Sequence, residues 1–156
     1  MNEHAVLFGE YELQLDEKHR MLVPAEVRRQ LDSARDGEAF FLVIGTQKRL
    51  WFLPEKLYYA QAHQYASRAT PSPEMLAYQR AYFSNARRVE WDKQGRIVVP
   101  EILLQRTTTG NEVTLIGLGD RLELWNRSEW LAQLPDMIAS SGAVASQIEE
   151  SEKPAQ

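Results

Sequence analysis

The stretch DEKHRMLVPAEVRRQL (Asp16–Leu31) returns further along the chain as DKQGRIVVPEILLQRT (Asp92–Thr107). In each copy an Asp is followed four residues later by an Arg, then by three mostly aliphatic residues and a Pro, with an acid at once or one position on. The repeat continues. Phe40–Leu57 lines up with Val113–Trp130, Ile44 on Ile116 and Arg49 on Arg121, so the second copy is four residues shorter between its motif and its second hairpin. One copy is about 50–60 residues, at the edge of what folds alone. Two copies in one chain can bury their apolar faces against each other. The expectation is one α+β unit with internal pseudo-twofold symmetry, built around a small barrel.

Each copy reads alike. Tyr11–Leu15 and Arg88–Trp91 alternate apolar and polar, the period of a strand. Asp16–His19 and Asp92–Gly95 are turns in which the Asp side chain accepts the amide two residues on. Gly95 supplies a positive φ without steric cost, whereas His19 takes the same place at some strain. Arg20–Val23 and Arg96–Val99 are the return strands. Pro24 and Pro100 suit the first position of a short helix, with Glu26 or Glu101 in its first turn. Ala39–Ile44 and Arg49–Leu53 form the second hairpin. Helices are predicted over Pro54–Arg68 and Pro73–Ser84, with a break at Ala69–Pro73. The small, polar and acidic segment 135–156 reads as a disordered tail.

The stretches GEYELQLDEKHRMLVPAEVRRQL, AYQRAYFSNARRVEWDKQGRIVVP and LIGLGDRLELWNRSEW together resemble the MraZ family of bacterial transcriptional regulators, tandems of two AbrB-type (SpoVT/AbrB) DNA-binding modules. The resemblance runs from Leu7 to Leu134. It implies a tandem AbrB-type, swapped-hairpin-like β-barrel with short flanking helices. Its modules would span 7–68 and 86–134, with 69–85 as connecting loop and helix. It further implies a homo-oligomeric ring that binds repeated promoter sites in double-stranded DNA, the usual target being the family's own cell-division and cell-wall gene cluster, in the cytoplasm and on the nucleoid. The family's D-x-x-x-R motif falls on Asp16, Arg20, Asp92 and Arg96, and its first copy is the one linked to DNA contact. The first copy departs from the family's turn: His19 stands where the family has Gly.

The residues make their own case. The net charge of −4 argues mildly against nucleic acid, but binding depends on a local patch. Between Lys18 and Arg29 there are four Lys or Arg against one acid, Glu26. Arg20 is the candidate for base contact, Lys18 for phosphates, His19 for either, with Arg28 and Arg29 one short helix away. Asp16, Asp92, Gly95 and Arg96 are assigned to the turns and to structure. For Arg20 the alternative is a hairpin that closes on itself, Asp16 pairing with Arg20. Phe8, Tyr11 and Tyr82 are candidate interface aromatics, core filling being the competing reading.

Other classes fit less well. A shared-proton Asp dyad needs small loop residues after each Asp, and Asp16 is followed by Glu17 and Lys18, Asp92 by Lys93. The three histidines lack ligand spacing, and no phosphate loop or nucleophile elbow appears. The chain is therefore expected to be no enzyme, with no metal, cofactor or small-molecule substrate. No run of about 18 apolar residues suggests a membrane span. The absence of cysteine and of a signal-like N-terminus fits the cytosol. The rival to DNA binding is a ring-forming protein–protein interaction module, and a single-module AbrB-type antitoxin is disfavoured by the duplication.

Overall fold

In the computed structural model, which describes residues 5–66 and 69–154, the two copies are built into each other. Exposed Glu10, Glu12 and Gln14 alternate with half-buried Tyr11 and Leu13 to make β1 (Glu10–Gln14). Its partner is β7 (Glu112–Gly117) of the second copy, with Glu10 opposite Ile116. The matching strand of the second copy, β5 (Arg87–Val89), pairs with β3 (Phe40–Ile44) of the first. β3 forms a hairpin with β4 (Leu50–Pro54), and β7 with β8 (Leu122–Asn126). β4 then pairs with β8, giving an antiparallel sheet in the order β1-β7-β8-β4-β3-β5. The pseudo-twofold runs between β4 and β8, where Trp51 faces Glu123, its own counterpart in the repeat. The Glu123 carboxylate accepts both indole N–H groups, from Trp51 and Trp125, at 2.6 Å each. Arg49 lies 3.7 Å over the Trp125 ring and Arg121 4.7 Å over the Trp51 ring.

The sheet does not close into the expected barrel. Among the described residues its outer strands β1 and β5 each pair with one neighbour. Each leads through a D-x-x-x-R turn into a separate two-stranded ribbon. There β2 (Arg20–Leu22) pairs antiparallel with β6 (Arg96–Val98), and Met21 faces Ile97. The return strands thus pair with each other instead of folding back on β1 and β5. Alternation supplies the reason. Met21, Val23, Ile97 and Val99, each 1% exposed or less, turn one side of the ribbon into the main core, with Phe40, Leu42, Phe52, Leu115 and Leu124 of the sheet. Helices α1 (Ala25–Gln30) and α5 (Glu101–Thr107) follow the ribbon strands and add Val27 and Leu103 to that core. Pro24 and Pro100 stand at their N-caps, one position earlier than expected.

Pairing also corrects the repeat's register. Leu42 faces Phe52 and Leu115 faces Leu124, which makes Leu42 equivalent to Leu115 and Ile44 equivalent to Gly117. The match of Ile44 with Ile116 is one residue out. A slip of one exchanges the faces of a strand: Ile44 packs on the main core, and Ile116 alternates to the other side. Three of the four missing residues fall before β7 and one in the β7–β8 loop. The longer first-copy segment holds a helix that sequence reading missed, α2 (Ser33–Asp36), capped by Asp32.

A second cluster covers the opposite face of β3 and β4. Phe41, Val43 and Leu53 pack there with Leu57 and Tyr58 of α3 (Glu55–Ala66) and Tyr82 of α4 (Pro73–Asn85). The expected extension of the first of these helices to Arg68 lies outside the described residues. Ser72 caps α4 by accepting the Met75 amide at 3.1 Å. Tyr82 is buried, at 4% exposure, Tyr11 is half-buried with its hydroxyl on the Phe8 carbonyl, and Phe8 is exposed.

Residues through Asn126 form one compact unit, and Arg127–Gln156 cluster as a second. The second holds α6 (Arg127–Glu152), a 26-residue helix containing Pro135. The disordered tail expected over 135–156 is therefore helical through Glu152. Its Ala, Leu, Met, Gln and Glu residues are strong helix formers, and its apolar residues recur at helical spacing. No helix among the described residues is long and apolar enough to cross a membrane.

Candidate nucleic-acid interface

The two turns that launch the ribbon are built the same way. Asp16 Oδ1 accepts the amides of Lys18 and Arg20, both at 2.9 Å, and Oδ2 accepts Arg20 Nε at 2.7 Å. Asp92 Oδ1 accepts the amides of Gln94 at 2.8 Å and Arg96 at 2.9 Å, and Oδ2 accepts Arg96 Nε at 3.1 Å. Three donors on one carboxylate favour its charged form. Both aspartates are accordingly held below the usual value of 3.8, the Arg backbone amide being the main cause in each. The fourth turn residue is left-handed in both copies, Gly95 at φ +81° and His19 at φ +59°. Each turn is tied to the other copy: Val99 N–H donates to His19 O at 2.9 Å and Val23 N–H to Gly95 O at 2.8 Å.

Below the tips, the ribbon's outer face carries Arg20 opposite Val98 and Leu22 opposite Arg96. The two arginines thus sit diagonally, a relation that spans about 7–8 Å in antiparallel pairs. Leu22 and Val98 between them are 46% and 53% exposed. The Arg20 and Arg96 side chains are equally accessible, at 34% each. Their Nε atoms are held by Asp16 and Asp92. Their terminal Nη groups have no partner among the described residues.

The other candidates divide. Lys18 is exposed at the first tip, as is Lys93 at the second. His19 is half-buried, its Nε2 4.0 Å from Glu101 Oε2. Arg28 donates from Nε to the Val23 carbonyl at 3.1 Å, and its guanidinium lies where a Cβ on Gly95 would come within 2.7 Å of it. It braces the second turn from the first copy. Arg29 is exposed and paired with Glu26 at 3.1 Å. Leu22 and Val98 were not singled out from sequence, and Arg96 was separated from Arg20 as structural. The signal was the in-out alternation of RMLV and RIVV, which puts both arginines on one face once the strands pair.

The net negative charge of the chain is unevenly distributed along its sequence. Residues 127–156 hold five of the 22 acids and only two of the 18 bases, which is three of the four net negative charges.

Comparison with known proteins agrees in direction. The family model described as "MraZ protein, putative antitoxin-like" matches the chain twice, over residues 6–78 and 82–148. The transcriptional regulator MraZ of Chromobacterium violaceum is 34% identical over 127 residues, 81% of this chain and 85% of that protein. That of Heliobacterium modesticaldum is 34% identical over 125 residues, 80% of this chain and 84% of that protein. The Bifidobacterium longum protein of the same name is 30% identical over 143 residues, 92% of each chain.

Proposed function

This chain belongs to the MraZ family, and from that premise we propose that it is a sequence-specific, DNA-binding transcriptional regulator whose β2–β6 ribbon reads repeated promoter sites in double-stranded DNA. The observation that carries this reading is the ribbon's outer face, where one arginine from each copy stands beside an exposed aliphatic residue. A two-stranded ribbon fits the major groove, an Arg fork offers two hydrogen bonds to guanine O6 and N7, and aliphatic groups meet thymine methyls. Asp16 and Asp92 grip the Nε edges, so the Nη ends are oriented before DNA arrives and less ordering entropy is lost on binding. Lys18 and Lys93 at the tips serve phosphates, and His19 supports the first tip.

The duplicated motif presents two readers in one chain, in modules over 7–68 and 86–134 joined by 69–85. Single modules with few phosphate contacts bind weakly, at about 10⁻⁴–10⁻⁶ M for non-specific DNA. A homo-oligomeric ring on spaced repeats gains avidity without new contacts per module. The repeats belong to its own cell-division and cell-wall gene cluster, and the protein works in the cytoplasm on the nucleoid, with no small-molecule substrate.

The test is fluorescence anisotropy on a labelled duplex from upstream of its own gene, beside a scrambled duplex of equal length, at two salt concentrations. Tenfold or tighter binding to the native duplex is expected, with both weakening as salt rises. Arg20→Ala is expected to cost tenfold or more with the fold intact, and Arg96→Ala a comparable amount. Absence of binding to either duplex at low salt sinks the reading in favour of a ring that binds only protein.

A further inference from the structure

Between the β3–β4 hairpin and the two helices that cover it lies a cavity of about 300 Å³, at the small end of the range for ligand sites. Trp51 of β4, Tyr65 of α3, Tyr78 and Tyr82 of α4, and Arg121 of the β7–β8 loop line it. Among the described residues its lining contains no acid. All of these residues belong to the compact unit that ends at Asn126.

The walls are fixed before any ligand arrives. Tyr65 meets Tyr78 edge-on at 5.4 Å and Tyr82 at 5.2 Å, and Tyr78 stacks on Tyr82 at 5.7 Å. The Trp51 indole is tied through its N–H to Glu123 at 2.6 Å. It lies so close over Gly45 that a Cβ there would come within 2.2 Å of it.

Two donors are left over. Tyr82 is the one buried residue of the lining, at 4% exposure, and its hydroxyl has no hydrogen-bond partner among the described residues. Buried polar groups are rarely left unpaired. Burial pushes this hydroxyl well above its ordinary pKa, so it keeps its proton to donate. Arg121 gives Nε and Nη2 to Asp120, at 2.8 and 3.1 Å, and keeps Nη1. Tyr82 and the guanidinium lie within electrostatic reach of each other.

These groups discriminate between ligands. A cation would suit the aromatic rings, but Arg121 repels it. An anion meets a guanidinium already neutralised by Asp120 and would lose its hydration without a free counter-charge. A bare hydrocarbon leaves both donors unpaired. A carbonyl oxygen has two lone pairs, one for each donor, and a planar ring attached to it can stack on the aromatic walls.

We propose that this cavity binds a planar, uncharged aromatic molecule carrying a carbonyl oxygen, held by the Tyr82 hydroxyl and Arg121 Nη1 among the rings of Trp51, Tyr65 and Tyr78. The molecule is bound and not converted. The site stands independently of the DNA-reading ribbon.

The test is a saturation-transfer NMR titration of the full-length protein with indole-2-carboxamide, beside 2-methylindole, which lacks the carbonyl, and indole-2-carboxylate, which adds a charge. Saturable transfer to the carboxamide is expected, with at least fivefold weaker binding of the other two. Tyr82→Phe keeps the ring and loses the hydroxyl, and Arg121→Gln removes the other donor. Each is expected to weaken carboxamide binding at least fivefold, with helix content unchanged by circular dichroism. Absence of saturable transfer to the carboxamide overturns the site. Equal binding of 2-methylindole, or wild-type binding by both folded variants, overturns the role of the two donors. Equal or tighter binding of the carboxylate overturns the uncharged class.

Discussion

His19 and Gly95 hold the same place in two copies of one turn, and their neighbours make them unequal. Both residues are left-handed, which costs an L side chain about 1–2 kcal/mol. Gly95 is also overlain by the Arg28 guanidinium. We expect Gly95→His to destabilise by more than about 2 kcal/mol, and His19→Gly to stay within about 1 kcal/mol, relief of strain being offset by a looser unfolded chain. Urea denaturation of both variants checks this. The turn aspartates give a second expectation. Their folded values lie below the unfolded 3.8, so their contribution is full above about pH 4 and is lost as pH falls through the depressed folded values. Asp16→Asn should flatten the acid limb of the stability profile, read as the denaturation midpoint between pH 7 and 2. An unchanged limb would rule out this role for Asp16. The Asp capping was legible in sequence because it acts within four residues. The bracing by Arg28 was not, because it crosses from one copy to the other.

Among the elements, the β4–β8 junction is where the two halves of the sheet meet. Glu123 there accepts two indole N–H groups, from Trp51 and Trp125. Removing it leaves donors short of a partner, a loss of about 1–3 kcal/mol. We expect Glu123→Ala to destabilise by that amount and to shift the tryptophan emission, whereas Glu123→Gln recovers part of the loss. Emission and unfolding curves for both variants test it; equal stability of all three proteins would remove the junction's claim. Strands and turns were readable from alternation and from Asp and Gly. Their pairing was not, since alternation shows which face is buried and is silent on which strand lies alongside. Hence the one-residue error at Ile116, an apolar residue on the face away from the main core. The run of α6 through 135–152 was missed for another reason: small, polar and acidic residues read as a tail too poor in apolar surface to order, although its Ala, Met, Gln and Glu residues favour helix.

At the scale of the molecule, strand exchange decides what can fold. β1 needs β7, β5 needs β3, and β2 needs β6. Fragments 1–85 and 86–156 are each expected to lack stable tertiary structure alone, and to regain it when mixed, by circular dichroism and dispersion of amide NMR signals. A cooperatively folded single fragment would contradict this. The duplication and the α+β class were legible because the motif repeats in sequence; the open sheet with its separate ribbon was not, because closure depends on long-range partners. The exchange also sets a timetable for synthesis. Glu10 pairs with Ile116, so β1 must wait, with its ladder bonds unmade, for a strand made much later in synthesis. Long-range pairings of this kind are slow to form and leave strand edges open meanwhile. A ribosome that stalls midway therefore releases a chain with a bare strand and no mate for it in its own sequence, and the nearest mate is on the neighbouring nascent chain.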